Sequence, residues 1–588
     1  MTRAATNLNQ LWATLIVEEL IRQGLNRFCI SPGSRSTPLT VAVARHPQAQ
    51  AKLAYDERGA AFYALGQGRA LGRACVLICT SGSALSHYYP AIIEAAQDQV
   101  PMLILSADRP PELQASGANQ TIQQTGLYGD YVRWQYHFPC PDLKISATTV
   151  LSTVDQAVYR TQGPAPGPVH LNLPFREPLA PEPQDDLPAA YLDNLQAWQS
   201  QTTAYTHYPQ VSLMPPPAAL EAAKAHLQAT RRGLLLLGRL HSQAEQQAAL
   251  QLAKALNWPV CADLLSGLRL AADFPQRLDY YDLLLQTQVL QTLQPETVLQ
   301  VGGPLISAAL QKHLQQHPPQ HYLQVLQGPF RQDPNHQISL RLEGDLPHLC
   351  QALSPERPLP LDPDWAQSWQ THNAQAATLL QNAFQHQADL SEPAVAWAVS
   401  RALQPHQVLF LGNSMPVRDM DRFASAGQAP LAIAANRGAS GIDGNLATAI
   451  GFAQGHGAPG LLLCGDLTLL HDLNSLQLLQ QHPYPFTLLV INNQGGGIFH
   501  FLPISQFTDV FEPWFGTPHS FSFEHAAHMF QLDYRAPRNL AELNTAIACS
   551  QSQTSPMLIE VQTDRHENFQ LHQALTQQLN QVLGLKPD

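Results

Sequence analysis

The sequence predicts an α/β protein of three doubly wound parallel-sheet domains, the first and third being one fold used twice. Three observations predict it: short apolar runs alternate with longer amphipathic segments, two proline-rich breaks interrupt them, and one spacing recurs in both outer thirds. At 588 residues the chain exceeds a single core, which suggests domains of roughly 100–200 residues each.

In the first third, residues 27–30, 76–79, 102–105 and 169–173 read as buried strands, with helical patterns at 8–23 and 59–71. An acidic, proline-rich stretch from Pro174 to Pro188 reads as a linker. A second series of strands follows at 234–237, 298–301 and 322–326, then a break from Ser354 to Pro363. The expected boundaries are 1–185, 190–355, a linker at 356–390, and 391–588. Duplication shows in the spacing. Gly33 to Gly59 spans 26 residues, Gly412 to Gly438 also spans 26, and each pair joins a strand-helix turn to a second turn ending in Arg-Gly or Glu-Arg-Gly.

The formal charge of −12 argues against a nucleic-acid or membrane-surface partner, since either favours a basic face. Eight scattered cysteines form no CxxC pair and read as buried thiols. The opening, through Glu18, Glu19 and Arg22, lacks the apolar core of a signal peptide. No apolar run approaches the ~20 residues that span a bilayer. A soluble, cytoplasmic protein is expected.

Two loops carry chemistry. Gly465-Asp466-Leu467-Thr468 and Asn492-Asn493-Gln494-Gly495-Gly496-Gly497 each follow an apolar strand, at the carboxyl edge where α/β sheets bind ligands. A hard divalent cation needs oxygen ligands, and Asp466, Asn493 and the Gly495 carbonyl supply them. The glycines admit a phosphate, and a helix beginning near Thr468 would point N–H groups at it. Either loop alone reads as an ordinary turn. Glu57, within Asp56-Glu-Arg-Gly59, opens a helix, where an acidic residue is favoured by the dipole without any catalytic role.

The two loops together, with Asp466 and Asn493 separated by 27, resemble the signature of thiamine-diphosphate-dependent enzymes, although Leu467 stands where a glycine is usual. That resemblance implies Mg²⁺, or Mn²⁺, between protein and diphosphate. It makes the outer blocks pyrimidine-binding and diphosphate-binding domains, with Gly441, Ile442, Gly465, Asp466, Leu467, Thr468, Ser414, Asn493 and Gly495–Gly497 at the cofactor. Glu57 becomes the catalytic carboxyl group: it bonds the aminopyrimidine nitrogen and favours the tautomer that takes the thiazolium proton. Ile442 would hold the cofactor bent.

Ser31-Pro-Gly-Ser-Arg-Ser-Thr-Pro38, Ser106-Ala-Asp-Arg-Pro110, Gly117-Ala-Asn-Gln120, Asn436-Arg-Gly-Ala-Ser-Gly-Ile-Asp-Gly444 and Asn492-Asn-Gln-Gly-Gly-Gly-Ile-Phe499 are similar to one family within that class. Its members are synthases of the menaquinone/phylloquinone pathway. The resemblance implies decarboxylation of 2-oxoglutarate and addition of the remaining four carbons to isochorismate. Both are dicarboxylates, and arginine suits bidentate carboxylate recognition. Ser34, Arg35, Arg109, Gln120, Ser414, Arg418 and Arg437 are therefore assigned to substrate, with Ile498 and Phe499 as an apolar wall excluding water. The turn Gly302-Gly-Pro-Leu-Ile-Ser307 holds no Lys or Arg, so no middle-domain ligand is assigned. Gly238 stands alone after its strand, giving no dinucleotide fingerprint. The class builds its site from two chains, which implies a homodimer or a dimer of dimers. The rivals are another 2-oxo-acid carboligase, such as an acetolactate synthase, and a non-catalytic relative.

Overall fold

A computed structural model describes residues 5–184, 189–270, 274–287, 294–385, 387, 389–425 and 431–584. The last four residues of the expected first linker, 185–188, lie outside these. The strands form three wholly parallel sheets. The first holds β1 (Arg27–Ile30), β2 (Gln50–Leu53), β3 (Cys75–Cys79), β4 (Met102–Asp108), β5 (Trp134–His137) and β6 (Pro168–Pro174). The second holds β7 (Gly233–Leu237), β8 (Val260–Ala262), β9 (Thr297–Val301), β10 (His321–Leu326) and β11 (Leu340–Glu343). The third holds β12 (Val408–Leu411), β13 (Ala432–Ala435), β14 (Gly460–Gly465), β15 (Phe486–Asn492), β16 (Asp533–Arg535) and β17 (Met557–Gln562).

The first sheet runs β2-β1-β3-β4-β6-β5 and the third β13-β12-β14-β15-β17-β16, the same order strand for strand. The central sheet runs β11-β10-β9-β7-β8. Fully buried strands such as β3, β4 and β15 explain the continuous apolar runs, since both faces of a parallel sheet are covered.

By compactness the chain divides into two units. One is Met1–Val211 with Asn436–Gly457 and Asp472–His482; the other is Ser212–Ala435 with Ala458–His471 and Pro483–Asp588. In the first unit, helix Asn445–His456 packs on helix Glu57–Leu71. The backbones approach so closely that a Cβ on Gly66 would lie 2.1 Å from the Thr448 carbonyl, and one on Gly451 would lie 2.1 Å from that of Tyr63. Within this unit the stretch after β6 is bound rather than free. Asn9 donates to the carbonyls of Arg176 and Pro178, Asn7 to those of Ala180 and Glu182, and Phe175 and Leu179 are buried. Further on, Glu19 accepts the Trp198 indole N–H at 2.6 Å and the Tyr205 N–H at 2.5 Å, while Asp155 accepts from Gln23 and Thr206.

Burial first, then the neighbouring Asp155, pushes the Glu19 carboxyl up to about 8. A raised folded pKa means that its stabilising contribution is full below the ordinary value of 4.5 and is lost as pH rises through about 8. The unfolding midpoint should therefore fall across that window, and Glu19→Gln should flatten the decline. Parallel profiles for the two proteins in urea titrations would contradict this.

In the second unit, the stretch expected as a linker at 356–390 contains helix Pro363–Gln385, whose Trp365, Trp369, Ala376, Leu380 and Phe384 are buried on one stripe. All eight cysteines are free; seven are buried and Cys549 is half-buried. Among the described residues no helix is long and apolar enough to cross a membrane.

Candidate active site

Strand order reverses between β12 and β14, and again between β1 and β3, the switch points where doubly wound sheets leave a crevice at their carboxyl edge. The pairing Gly465↔Ile491 brings Asp466 and Asn492 to one level at the carboxyl edge of the sheet. Short helix Asp466–His471 begins at Asp466, two residues earlier than expected near Thr468. The shift follows from the aspartate itself: its Oδ1 accepts the Leu467 N–H at 2.6 Å, and its Oδ2 accepts the Gly495 N–H at 3.0 Å. His519 Nε2 stands 3.2 Å from the same Oδ2. Burial, opposed by these donors, still pushes the Asp466 carboxyl upward.

Asn493 donates from Nδ2 to Glu392 Oε1 at 2.7 Å, which turns its amide oxygen the other way. That Oδ1 is buried and accepts no hydrogen bond. An orphaned amide oxygen beside a buried carboxylate fits a hard divalent cation. The glycines fit a diphosphate. Gly465 has no left-handed φ, and a Cβ there would meet nothing within 4 Å, so neither strain nor packing within the chain calls for glycine. Gly495 (φ +148°) and Gly496 are required by the chain, because a Cβ would come within 2.1 Å and 2.3 Å of the Gly516 and Phe515 carbonyls. A Cβ on Gly497 would meet the Asn493 amide. Leu467 is half-buried and contributes its N–H, so a side chain is accommodated where the class usually has glycine. Thr468 is buried in the same turn.

Ser414, between β12 and helix Met415–Phe423, has φ +74° and ψ −131°, a conformation costly for any residue with a Cβ. Strain of that kind persists where the surroundings impose it, and here it faces the switch point. Arg418, one turn into the helix, donates to the Ser414 carbonyl at 2.5 Å. Ile498 and Phe499 are half-buried after the glycines, with Phe499 edge-on to Phe515 at 5.6 Å.

The first unit gathers a second group. β1 ends at Ser31-Pro-Gly-Ser34-Arg35, and a Cβ on Gly33 would lie 2.3 Å from Thr80 at the end of β3. Ser34 is exposed. Arg35 is buried, donates to the Phe175 carbonyl at 2.9 Å, and lies 3.3 Å from exposed Glu177. Arg109 contacts Ser81 Oγ and donates to Gln120 Oε1 at 3.5 Å, with Gln120 at φ +53°. Burial, then the charge of Arg35, lowers the Arg109 pKa. The structure thus brings Arg35, Arg109 and Gln120 together. Arg437 is half-buried in a turn whose Gly438 and Ala439 N–H groups donate to Glu94 at 2.7 and 2.6 Å. Gly441 and Ile442 follow, both half-buried.

Glu57 is half-buried at the first position of its helix. The capping is done by Asp56, which accepts from the Arg58 N–H and from Asn474. The capping hydrogen bonds at this helix start therefore fall to Asp56 rather than to Glu57. Its charge reaches Cys79, at the carboxyl end of β3, whose thiol is raised mainly by burial.

Three contributors escape sequence reading: Glu392, which orients Asn493; His519, beside Asp466; and Arg565, which donates to the Asn493 carbonyl at 3.2 Å and the Gln494 carbonyl at 2.9 Å. None lies in a motif. Only Ser391-Glu392-Pro393, a helix start, hints at anything.

The fold and these loops define a thiamine-diphosphate-dependent enzyme. A family model described as thiamine pyrophosphate enzyme, N-terminal TPP binding domain, matches residues 12–127, and one described as middle domain of thiamine pyrophosphate matches 189–411. The chain is 47% identical to the 2-succinyl-5-enolpyruvyl-6-hydroxy-3-cyclohexene-1-carboxylate synthase of Rubrobacter xylanophilus, covering 96% of this chain and 98% of the relative. It is 43% identical to the synthase of the same name from Salinibacter ruber, over 97% and 96%, and 41% identical to that of Chlorobium phaeovibrioides, over 97% of each. The chain belongs to the family of 2-succinyl-5-enolpyruvyl-6-hydroxy-3-cyclohexene-1-carboxylate synthases, transferases that depend on thiamine diphosphate.

Proposed function

We infer that this chain decarboxylates 2-oxoglutarate and adds the resulting four-carbon unit to isochorismate, in menaquinone or phylloquinone biosynthesis. The observation that carries the substrate choice is the gathering of two arginines at the carboxyl edge of the first sheet, Arg35 on the Phe175 carbonyl and Arg109 on Ser81 and Gln120. Two guanidinium groups at one sheet edge suit a dianionic substrate better than pyruvate.

When bound, thiamine diphosphate would supply the nucleophilic carbon and the electron sink that decarboxylation of a 2-oxo acid needs. The chain's residues do the rest. Glu57 holds a proton at the aminopyrimidine nitrogen. Asp466, Asn493 and the Gly495 carbonyl would hold Mg²⁺ or Mn²⁺, and Gly465, Leu467, Thr468, Gly496 and Gly497 would accommodate the diphosphate. Ser414, Gly441 and Ile442 shape the thiazolium side. Ser34, Arg35, Arg109, Gln120, Arg418 and Arg437 bind substrate carboxylates, and Ile498 and Phe499 exclude water. We assign residues 1–185 to the pyrimidine, 190–355 to a central domain and 391–588 to the diphosphate. The active unit is a homodimer, alone or paired into a tetramer, in the cytoplasm, with Glu57 of one chain serving Asp466 of the other.

Purified protein with cofactor and Mg²⁺ should release CO₂ from 2-oxoglutarate and consume isochorismate. Turnover of pyruvate with none of 2-oxoglutarate would contradict the reading and favour an acetolactate-forming carboligase. Gly465→Ala should leave stability within about 0.5 kcal/mol. The same change should weaken cofactor binding by about 1–3 kcal/mol, the usual cost of overpacking. Unchanged affinity in calorimetric titration would remove Gly465 from the diphosphate path.

A further inference from the structure

Beyond the cofactor cradle, the loop after the glycines and the C-terminal helix bring together three metal-ligating side chains that the reaction does not use. His500, Glu512 and His566 each present a ligand atom, and these atoms lie within 4.8 Å of one another. Glu512 Oε1 is 3.4 Å from His566 Nε2 and 3.9 Å from His500 Nε2. Ligands about 2.0–2.2 Å from a tetrahedral zinc stand about 3.4 Å apart, so a small side-chain rotation closes the set.

The second observation concerns His500 itself. It is 5% exposed, and neither ring nitrogen makes a hydrogen bond of normal geometry. Glu512 Oε1 is likewise buried and unbonded. Phe511 and His566 meet the His500 ring edge-on at 4.8 and 4.5 Å, which fixes its plane.

The carboxylate is pre-oriented too. Arg565 Nη2 holds Glu512 Oε2 at 2.6 Å, leaving Oε1 toward the two histidines. The same guanidinium donates from Nη1 to the Asn493 and Gln494 carbonyls.

We propose that His500, Glu512 and His566 form a site for a divalent transition-metal ion of the zinc type, distinct from the hard-cation cradle at Asp466 and joined to it through Arg565. Two imidazoles and one carboxylate select such an ion over magnesium, and His566, on the exposed side, leaves a position for water. The ion would pin the glycine loop to helix Arg565–Val582, beside Ile498 and Phe499.

The test uses holoenzyme with Mg²⁺ and thiamine diphosphate in excess, so that the hard-cation cradle is filled. Cobalt(II) is titrated in and followed by its visible absorption, with equilibrium dialysis for stoichiometry. One equivalent with the intense band of a low-coordinate site is expected, weakened about tenfold or more in His566→Ala, which alters an exposed side chain and spares the core. Glu512→Gln should act likewise, while Asp466→Ala should keep the band even though it loses the cofactor. That last result separates this site from the proposed function. No saturable band, or a band unchanged in His566→Ala, would overturn the proposal.

Discussion

Replacing Glu57 with Gln should lower turnover by about a thousandfold, within the usual range for removing a positioned acid–base group. The side chain keeps its shape and can still touch the aminopyrimidine, but it can no longer hold an ionisable proton there. Folding should be unaffected, because Asp56 rather than Glu57 caps the helix, through the Arg58 N–H and Asn474. Cofactor affinity should change little compared with turnover, since the proposed metal and diphosphate contacts are untouched. Turnover within a few-fold of the native enzyme, at full cofactor occupancy, would remove Glu57 from the mechanism.

The second large effect is expected for Asp466→Ala. This change removes the one carboxylate among the three proposed ligands and frees the Leu467 and Gly495 N–H groups that it accepts. Losing a carboxylate ligand leaves the diphosphate charge unneutralised, and cofactor retention at micromolar concentrations should fail. The variant should purify without cofactor and show no saturable binding by tryptophan fluorescence. Unfolding should shift by about 1–3 kcal/mol, because removing the buried carboxylate relieves desolvation while orphaning two donors. Tight metal-dependent binding in this variant would refute the cradle.

Much of the architecture was legible because parallel sheets write their strands as apolar runs. The 26-residue spacing from Gly33 to Gly59 and from Gly412 to Gly438 foreshadowed two sheets of identical strand order. Helix Pro363–Gln385 was not legible. Prolines at 358, 360 and 363 read as a break, yet Pro363 sits at a helix start, where a missing N–H costs nothing. The segment after β6 read as a linker because its prolines and acids dominate, whereas Asn7 and Asn9 bind its backbone from far away in sequence. At the site, Asp466 and Asn493 sit in recognisable turns. Glu392 lies 101 residues from the asparagine it orients, and Arg565 lies 72 residues from the carbonyl it binds. Such partners are chosen by tertiary packing, which no local spacing records.

The most direct test of the account is complementation between two inactive proteins. Glu57→Gln and Asp466→Ala chains, co-expressed with distinguishable tags, should form heterodimers in which one of the two sites draws its glutamate and its aspartate from unaltered positions. With random pairing, half the dimers are mixed and each holds one intact site, so about a quarter of native activity should return. If activity stays at the background of the two single variants although heterodimers form, then the cofactor is not shared between chains as proposed here.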